Sequence, residues 1–317
     1  METVRVSNGE IELAVRIQGV GPTVLCVHGF PELWYSWRHQ MSHFAARGYQ
    51  VAAMDVRGYG GSSRPRGAEA YGMRSLASDV VAVARAVADG PVILFGHDWG
   101  APLVYATALL YPKDIRAVAG LSVPYVPQRE AQFIDVMKSI YADRFFYQLY
   151  FQKEGVAETE LETDVSMSLR KVYYALAGDA PAGEWLKPKP KDAGLLDDLV
   201  DPRPFPAWLS ADDLEVYVAA FRESGFRGAL NRYRAQSLAH AQLAETRDAK
   251  LAQPCCFNGG SKDAVRGFLP GKDLFDVAGD ECLDFRGKTI LSGAGHWVQQ
   301  EAPAETNEAL QAFLETL

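Results

Sequence analysis

The sequence predicts an α/β chain: a mostly parallel central sheet flanked by helices and interrupted by a helical insertion. Short apolar runs of strand length alternate with helical patterns near both ends of the chain, the signature of strand–helix–strand units. From about residue 124 to 245 the strand pattern stops, and helical periodicity over 132–152, 164–177 and 212–224 replaces it. The apolar run Val92-Ile93-Leu94-Phe95 passes through Gly96-His97-Asp98-Trp99-Gly100 into a helical pattern from Ala101, a sharp strand–turn–helix junction built as small-x-Asp-x-small. The expected organisation is a first core segment over 1–123, a helical lid over 124–245 and a second core segment over 246–317.

Each element follows in order. Strands are expected at 4–6, 11–17, 23–27 and 51–54, with a helix over 37–47 between the last two. Residues 73–88 read as an amphipathic helix leading into the strand before Asp98. A strand over 117–121 precedes the insertion, whose helices are separated by the Pro-punctuated loops Lys187-Pro188-Lys189-Pro190-Lys191 and Pro202-Arg203-Pro204-Phe205-Pro206. Beyond it, 254–258 and 289–291 read as strands and 303–317 as the last helix.

Composition sets limits. At 317 residues, 48% hydrophobic, the chain can bury a large core as one domain with an insertion. A net charge of -8 argues against a nucleic-acid partner and leaves small neutral molecules unopposed. No apolar run is long enough to span a membrane, and the first residues carry no basic segment followed by an apolar core. Cys26 and the adjacent Cys255 and Cys256 fall in strand patterns, so reduced thiols in a cytoplasmic protein are expected. Their spacing is not that of metal ligands, and Gly58, Gly60 and Gly61 lack the Gly-Lys-Ser/Thr ending of a phosphate loop, so neither metal nor nucleotide cofactor is expected. Either a monomer or a homodimer is compatible with the sequence.

The junction at Asp98 carries the chemistry. A strained strand–turn–helix lifts its central side chain above the sheet and aims the next backbone N–H at the reacting centre. Serine there attacks carbonyl carbon; a carboxylate instead displaces a leaving group from saturated carbon. Aspartate is also a common turn residue and helix N-cap, so the assignment rests on partners following in the order nucleophile, acid, histidine. Only two histidines lie beyond Asp98. His240 falls in the polar helical stretch 236–245 and reads as solvated, whereas His296 sits on the small-residue loop Gly293-Ala294-Gly295-His296-Trp297. His296 is the candidate base, since imidazole titrates near working pH. Asp263, directly after the strand at 254–258, is the candidate acid that orients it; Asp273, Asp276 and Asp280 read as surface residues, and Ser122-Val123-Pro124-Tyr125 after the preceding strand offers no acid. The strand ending in His28-Gly29-Phe30-Pro31 supplies the other backbone donor of an oxyanion hole, formed by the N–H groups of Phe30 and Trp99. His28 reads as a structural turn residue.

At these residues the chain resembles the soluble epoxide hydrolases of the α/β-hydrolase fold. The matching stretches are His28 to Glu32 with Trp34-Tyr35-Ser36-Trp37-Arg38, Asp55-Val56-Arg57-Gly58-Tyr59-Gly60-Gly61-Ser62, Gly96 to Ala101, Phe146-Tyr147-Gln148-Leu149-Tyr150-Phe151-Gln152 and Gly295-His296-Trp297. The resemblance implies two lid tyrosines that hold and protonate the epoxide oxygen, Tyr147 and Tyr233, the latter in Leu230-Asn231-Arg232-Tyr233-Arg234. Many lid aromatics compete with them as packing residues, and Tyr150, three residues on, is the main rival to Tyr147. Trp34, Tyr150 and Trp297 are expected to contact substrate. The implied reaction converts a small neutral epoxide and water to a vicinal diol through an ester on Asp98, without a cofactor. Two other readings remain: a dehalogenase, which shares the aspartate, histidine and acid but needs no phenols, and a non-catalytic receptor on the same scaffold.

Overall fold

The computed structural model describes all 317 residues. Its centre is an eight-stranded sheet: β1 (Glu2–Asn8), β2 (Ile11–Gln18), β3 (Thr23–Val27), β4 (Gln50–Met54), β5 (Val92–His97), β6 (Ile115–Leu121), β7 (Cys255–Gly260) and β8 (Phe285–Leu291), in the order β1-β2-β4-β3-β5-β6-β7-β8. The hairpin β1–β2 is antiparallel, with β2 also antiparallel to β4, and every later pairing is parallel. This is the α/β sheet expected from the alternating pattern, arranged as the family resemblance implied.

The middle strands are continuous apolar runs because helices cover both faces. Alternation along a strand then divides its side chains between two cores. Leu25, Val27, Val92 and Leu94 face the core completed by α2 (Met73–Val87) and α3 (Gly100–Leu110). Val24, Cys26, Ile93 and Phe95 face the core completed by α1 (Arg38–Ala45) and α12 (Pro303–Leu314), with the short α11 (Val298–Glu301) between β8 and α12. The outer strands run further than expected from apolar pattern alone. β1 and β8 are half-exposed, and backbone pairing extends them through polar residues that leave no hydrophobic signal.

Between β6 and β7 every regular element is helical: α4 (Phe133–Ile140), α5 (Tyr147–Tyr150), α6 (Val156–Thr163), α7 (Val165–Leu176), α8 (Ala211–Ser224), α9 (Arg227–Arg234) and α10 (Gln236–Gln242), besides one short 3₁₀ turn. The single helix expected over 132–152 is two helices. The Phe145 N–H donates to the Lys189 carbonyl and Arg144 pairs with Pro190, so the intervening chain is drawn out against the Pro-rich loop. That break reduces α5 to one turn.

The insertion is tied to the core at several points. The Tyr173 hydroxyl donates to the Pro31 carbonyl at 3.0 Å, the Trp297 indole N–H to the Tyr173 carbonyl at 2.8 Å, and the His296 N–H to the Leu176 carbonyl at 2.9 Å. No helix is long and apolar enough to cross a membrane. All four cysteines are free thiols.

Candidate active site

Asp98 adopts φ +49°, a left-handed conformation that costs a non-glycine residue energy and persists only where its surroundings hold it. The flanking glycines make this possible by absence of side chain: a Cβ on Gly100 would run into the Val27 carbonyl, and one on Gly29 into Asp98 itself. The aspartate therefore projects from the end of β5 toward the loop after β3. There the Phe30 N–H donates to Asp98 Oδ1 at 2.8 Å, while the Trp99 N–H makes no hydrogen bond. The Phe30–Pro31 peptide is cis.

His296 and Asp263 come from the loops after β8 and β7. His296 Nε2 lies 3.3 Å from Asp98 Oδ2, and Nδ1 lies 3.1 Å from both oxygens of Asp263. Asp263 is itself pinned by the Val265 N–H, which donates to Oδ1 at 2.9 Å. Burial opposes the imidazolium, yet the Asp263 carboxylate, followed by Asp98, holds the His296 pKa well above its ordinary value. The arrangement is a carboxylate, an imidazole and a second carboxylate in one line. His240 is remote from it, its Nε2 on the Arg129 carbonyl.

Tyr147 and Tyr233 converge on the same place from α5 and α9. Their ring centroids are 6.0 Å apart. The Tyr233 ring stands edge-on to Phe30 at 5.4 Å and to Trp99 at 5.3 Å, the two residues expected to supply oxyanion donors. The Gln148 side chain donates to the Tyr147 hydroxyl at 2.9 Å. Burial, with Asp98 as a negative neighbour, pushes both phenols upward, so each keeps its proton at neutral pH.

The three expected substrate contacts have different surroundings. The Tyr150 hydroxyl donates to Glu160 at 2.8 Å, because α5 makes only one turn and Tyr150 faces the packing of α6. Trp34 lies under Arg16, 5.2 Å from ring centroid to guanidinium carbon, and against Tyr35. Trp297 is fully buried beside His296, with its centroid 4.8 Å from the imidazole. None of the three lines the cavity of about 240 Å³ that opens outside Tyr147. Trp185, Phe146 and Leu199 line it instead, and Arg144, Lys187 and Lys189 make its wall basic. Trp185 lies among loop residues without periodicity, where no pattern marks it as a lining residue.

Supporting residues also escaped the sequence reading. The Glu301 carboxylate accepts the N–H groups of Gly178, Gly295 and Trp297 at 2.7–2.9 Å, clamping the His296 loop to the end of α7. His97 Nδ1 lies 2.7 Å from Glu32 and Nε2 2.8 Å from the His296 carbonyl; burial opposes the Glu32 carboxylate, but His97 holds it down to about 2. The Ser122 hydroxyl donates to the same carbonyl at 2.7 Å. Glu32 and His97 lie inside recognised motifs; Glu301 carries no local signal.

Known proteins place this geometry in a family. Residues 22–203 match the model of the alpha/beta hydrolase fold. The chain is 39% identical to Epoxide hydrolase A of Mycobacterium tuberculosis over 296 residues, 92% of this chain and 90% of that one. Among solved structures, an epoxide hydrolase from an endophytic Streptomyces superposes with a TM-score of 0.92 at 42% identity, covering 99% of this chain and 94% of its own. Epoxide hydrolase I of potato superposes at 0.89 and 31%, covering 100% and 99%. With its sheet order, inserted helices and aspartate at the strand–helix junction, the chain belongs to the epoxide hydrolases of the α/β-hydrolase fold.

Proposed function

We propose that this enzyme adds water to an epoxide in two steps through an ester on Asp98. Asp98 Oδ2 attacks one ring carbon, the carbon–oxygen bond of the ring breaks, and the oxygen takes a proton from the phenols of Tyr147 and Tyr233. His296 then removes a proton from water, which attacks the Asp98 carbonyl carbon while the Phe30 and Trp99 N–H groups face the developing oxyanion. Collapse releases a vicinal diol and restores Asp98.

The observation that carries this reading is the division of labour around Asp98. One carboxylate oxygen is held by Phe30 N–H at 2.8 Å, and the other faces His296 at 3.3 Å. Esterification has an electrostatic consequence as well. In the free enzyme two carboxylates support the imidazolium; once Asp98 is alkylated its charge is gone, His296 loses proton affinity, and it becomes a competent base when one is needed. Residues 124–245 act in this reading as a lid that carries the two phenols over the nucleophile. The four free thiols support a reducing, cytoplasmic setting.

The test is a single turnover of styrene oxide in heavy-oxygen water with enzyme in excess. The label should enter the Asp98 carboxylate before it reaches diol, because water attacks the ester carbonyl. Label appearing only in diol would exclude the covalent route, and turnover of haloalkanes with no turnover of epoxide would assign the site to dehalogenation instead.

A further inference from the structure

The helix α9 carries two arginines in Arg232-Tyr233-Arg234, and the structure treats them differently. Arg234 pairs with Glu158 at 2.7 Å and donates to the Phe151 carbonyl at 2.9 Å. Arg232 is 5% exposed, yet no carboxylate lies within ion-pair distance of it. Nη1 has no hydrogen-bond partner, and Nη2 reaches only the Met73 sulfur at 3.8 Å. A buried charge without a partner is costly, so its position calls for a reason.

That position is the rear of the reaction centre. The guanidinium lies over Trp99, 4.1 Å from carbon to ring centroid, a cation–π contact that holds it without neutralising it. Trp99 follows Asp98 in the chain and its other contact is the Tyr233 ring at 5.3 Å. Arg232 shares with His28, Gly29, Tyr59 and Trp99 a cavity with room for one water. Burial lowers the Arg232 pKa to about 10, with Tyr59, Tyr233 and Asp98 acting in the opposite sense; at neutral pH the charge is present.

We propose that Arg232 is a positioning residue that makes Tyr233, rather than Tyr147, the phenol that surrenders its proton, by serving as the fixed counter-cation of the phenolate left behind. The inference rests on the reading of Asp98 as the nucleophile. In the alkylation step a bond forms between Asp98 Oδ2 and the ring carbon, the ring carbon–oxygen bond breaks, and the Tyr233 hydroxyl proton passes to the freed oxygen. The electron pair of that O–H bond stays on Tyr233. One negative charge thus moves from Asp98 to Tyr233, and Arg232 neighbours both. In the hydrolysis step water gives one proton to His296, which passes it to the departing alkoxide, and the second proton of that water leaves the regenerated Asp98 carboxyl group and returns to the phenolate through solvent. The basic side chains near Tyr147, Arg144, Lys187 and Lys189, line the outer cavity, and its hydroxyl is held by Gln148, which suits it to grip the oxygen.

The test uses His296→Gln enzyme, in which the ester accumulates, treated with styrene oxide. Ester formation is followed by mass and phenolate by its ultraviolet absorbance. The expected result is a phenolate band that forms with the ester, survives Tyr147→Phe and disappears with Tyr233→Phe. Arg232→Gln should weaken that band and slow ester formation on the order of tenfold, and Arg232→Lys should restore most of both. In enzyme with His296 intact, Arg232→Gln should leave the rate of ester breakdown within about threefold, a ratio too small to reflect loss of a charge contact in that step. Equal damage by Gln and Lys, equal slowing of both steps, or a band that follows Tyr147 overturns the assignment. Melting curves identify any variant that fails to fold, and the Tyr147→Phe and Tyr233→Phe bands then decide the matter alone. If no ester forms even with Arg232 present, the nucleophile reading has failed; if ester forms equally fast without Arg232, only this inference has.

Discussion

The two halves of the site are built in opposite ways. The half from the core is a chain of direct hydrogen bonds: Phe30 N–H to Asp98, Asp98 to His296, His296 to Asp263, and Asp263 to Val265 N–H. The half from the insertion makes no hydrogen bond to Asp98; Tyr147 and Tyr233 are placed by ring packing against Phe30, Trp99, Phe151 and each other. The difference fits the proposed roles. A base must hold one tautomer and one direction for its proton, which hydrogen bonds enforce, whereas phenols that grip an incoming oxygen must keep their donors unspent. Aromatic packing positions a ring while leaving its hydroxyl available.

Variants can break that comparison. The largest effect should come from the core half: His296→Gln should slow ester hydrolysis on the order of 10²- to 10⁴-fold while alkylation continues, visible as an added substrate mass on the protein. Loss of both steps together, with no adduct at any time, would remove the distinction between the halves.

The insertion half should fail in the other step. Tyr147→Phe or Tyr233→Phe should slow alkylation on the order of tenfold or more, and the double variant should approach complete loss, since positioned acids contribute about 10²- to 10⁴-fold. Rates of ester formation measured by rapid quench decide this. Tyr150→Phe is the control: its hydroxyl is committed to Glu160, so activity should change little and stability should fall by about 1 kcal/mol, the usual worth of one hydrogen bond. A Tyr150 variant as slow as the Tyr147 variant would move the phenol assignment by a helical turn.

A smaller effect sharpens the electrostatic side. The rate of ester breakdown should rise with pH as His296 loses its proton, then level off. The midpoint should lie below the His296 value of the free enzyme, because alkylation removes the Asp98 charge, and Asp263→Asn should lower it by about a further unit. In the free enzyme His296 has a raised pKa, so its contribution to folding is fully present below ~6.5 and fades as pH climbs through the folded value. A midpoint unchanged by Asp263→Asn would remove the second carboxylate from the account.

The contrast between the halves also explains what could be read in advance. Asp98, His296, Asp263 and the Phe30 loop each sit at the end of a strand, and strand ends carry two local signals, an apolar run and a break of small residues. The lid phenols had no such marker. Their numbers came from resemblance to a family, and periodicity could not choose between Tyr147 and Tyr150, because residues three apart share a helix face and only contacts with distant segments, Glu160 for Tyr150 and the Tyr233 ring for Tyr147, tell them apart. Of the expected substrate contacts only Tyr150 belongs to the insertion, and there the Glu160 carboxylate of α6 takes its hydroxyl.

By itself the sequence located the strands and offered candidate residues at their ends, because both depend on apolar period and turn chemistry within a few residues. Tertiary structure alone decided which aromatic faces the nucleophile and which faces Glu160, that Glu301 clamps the histidine loop, and that Arg232 is left unpaired over Trp99 while Arg234 is neutralised. Those outcomes depend on contacts between segments distant in the chain, and burial and charge there are properties of neighbours that local composition does not encode.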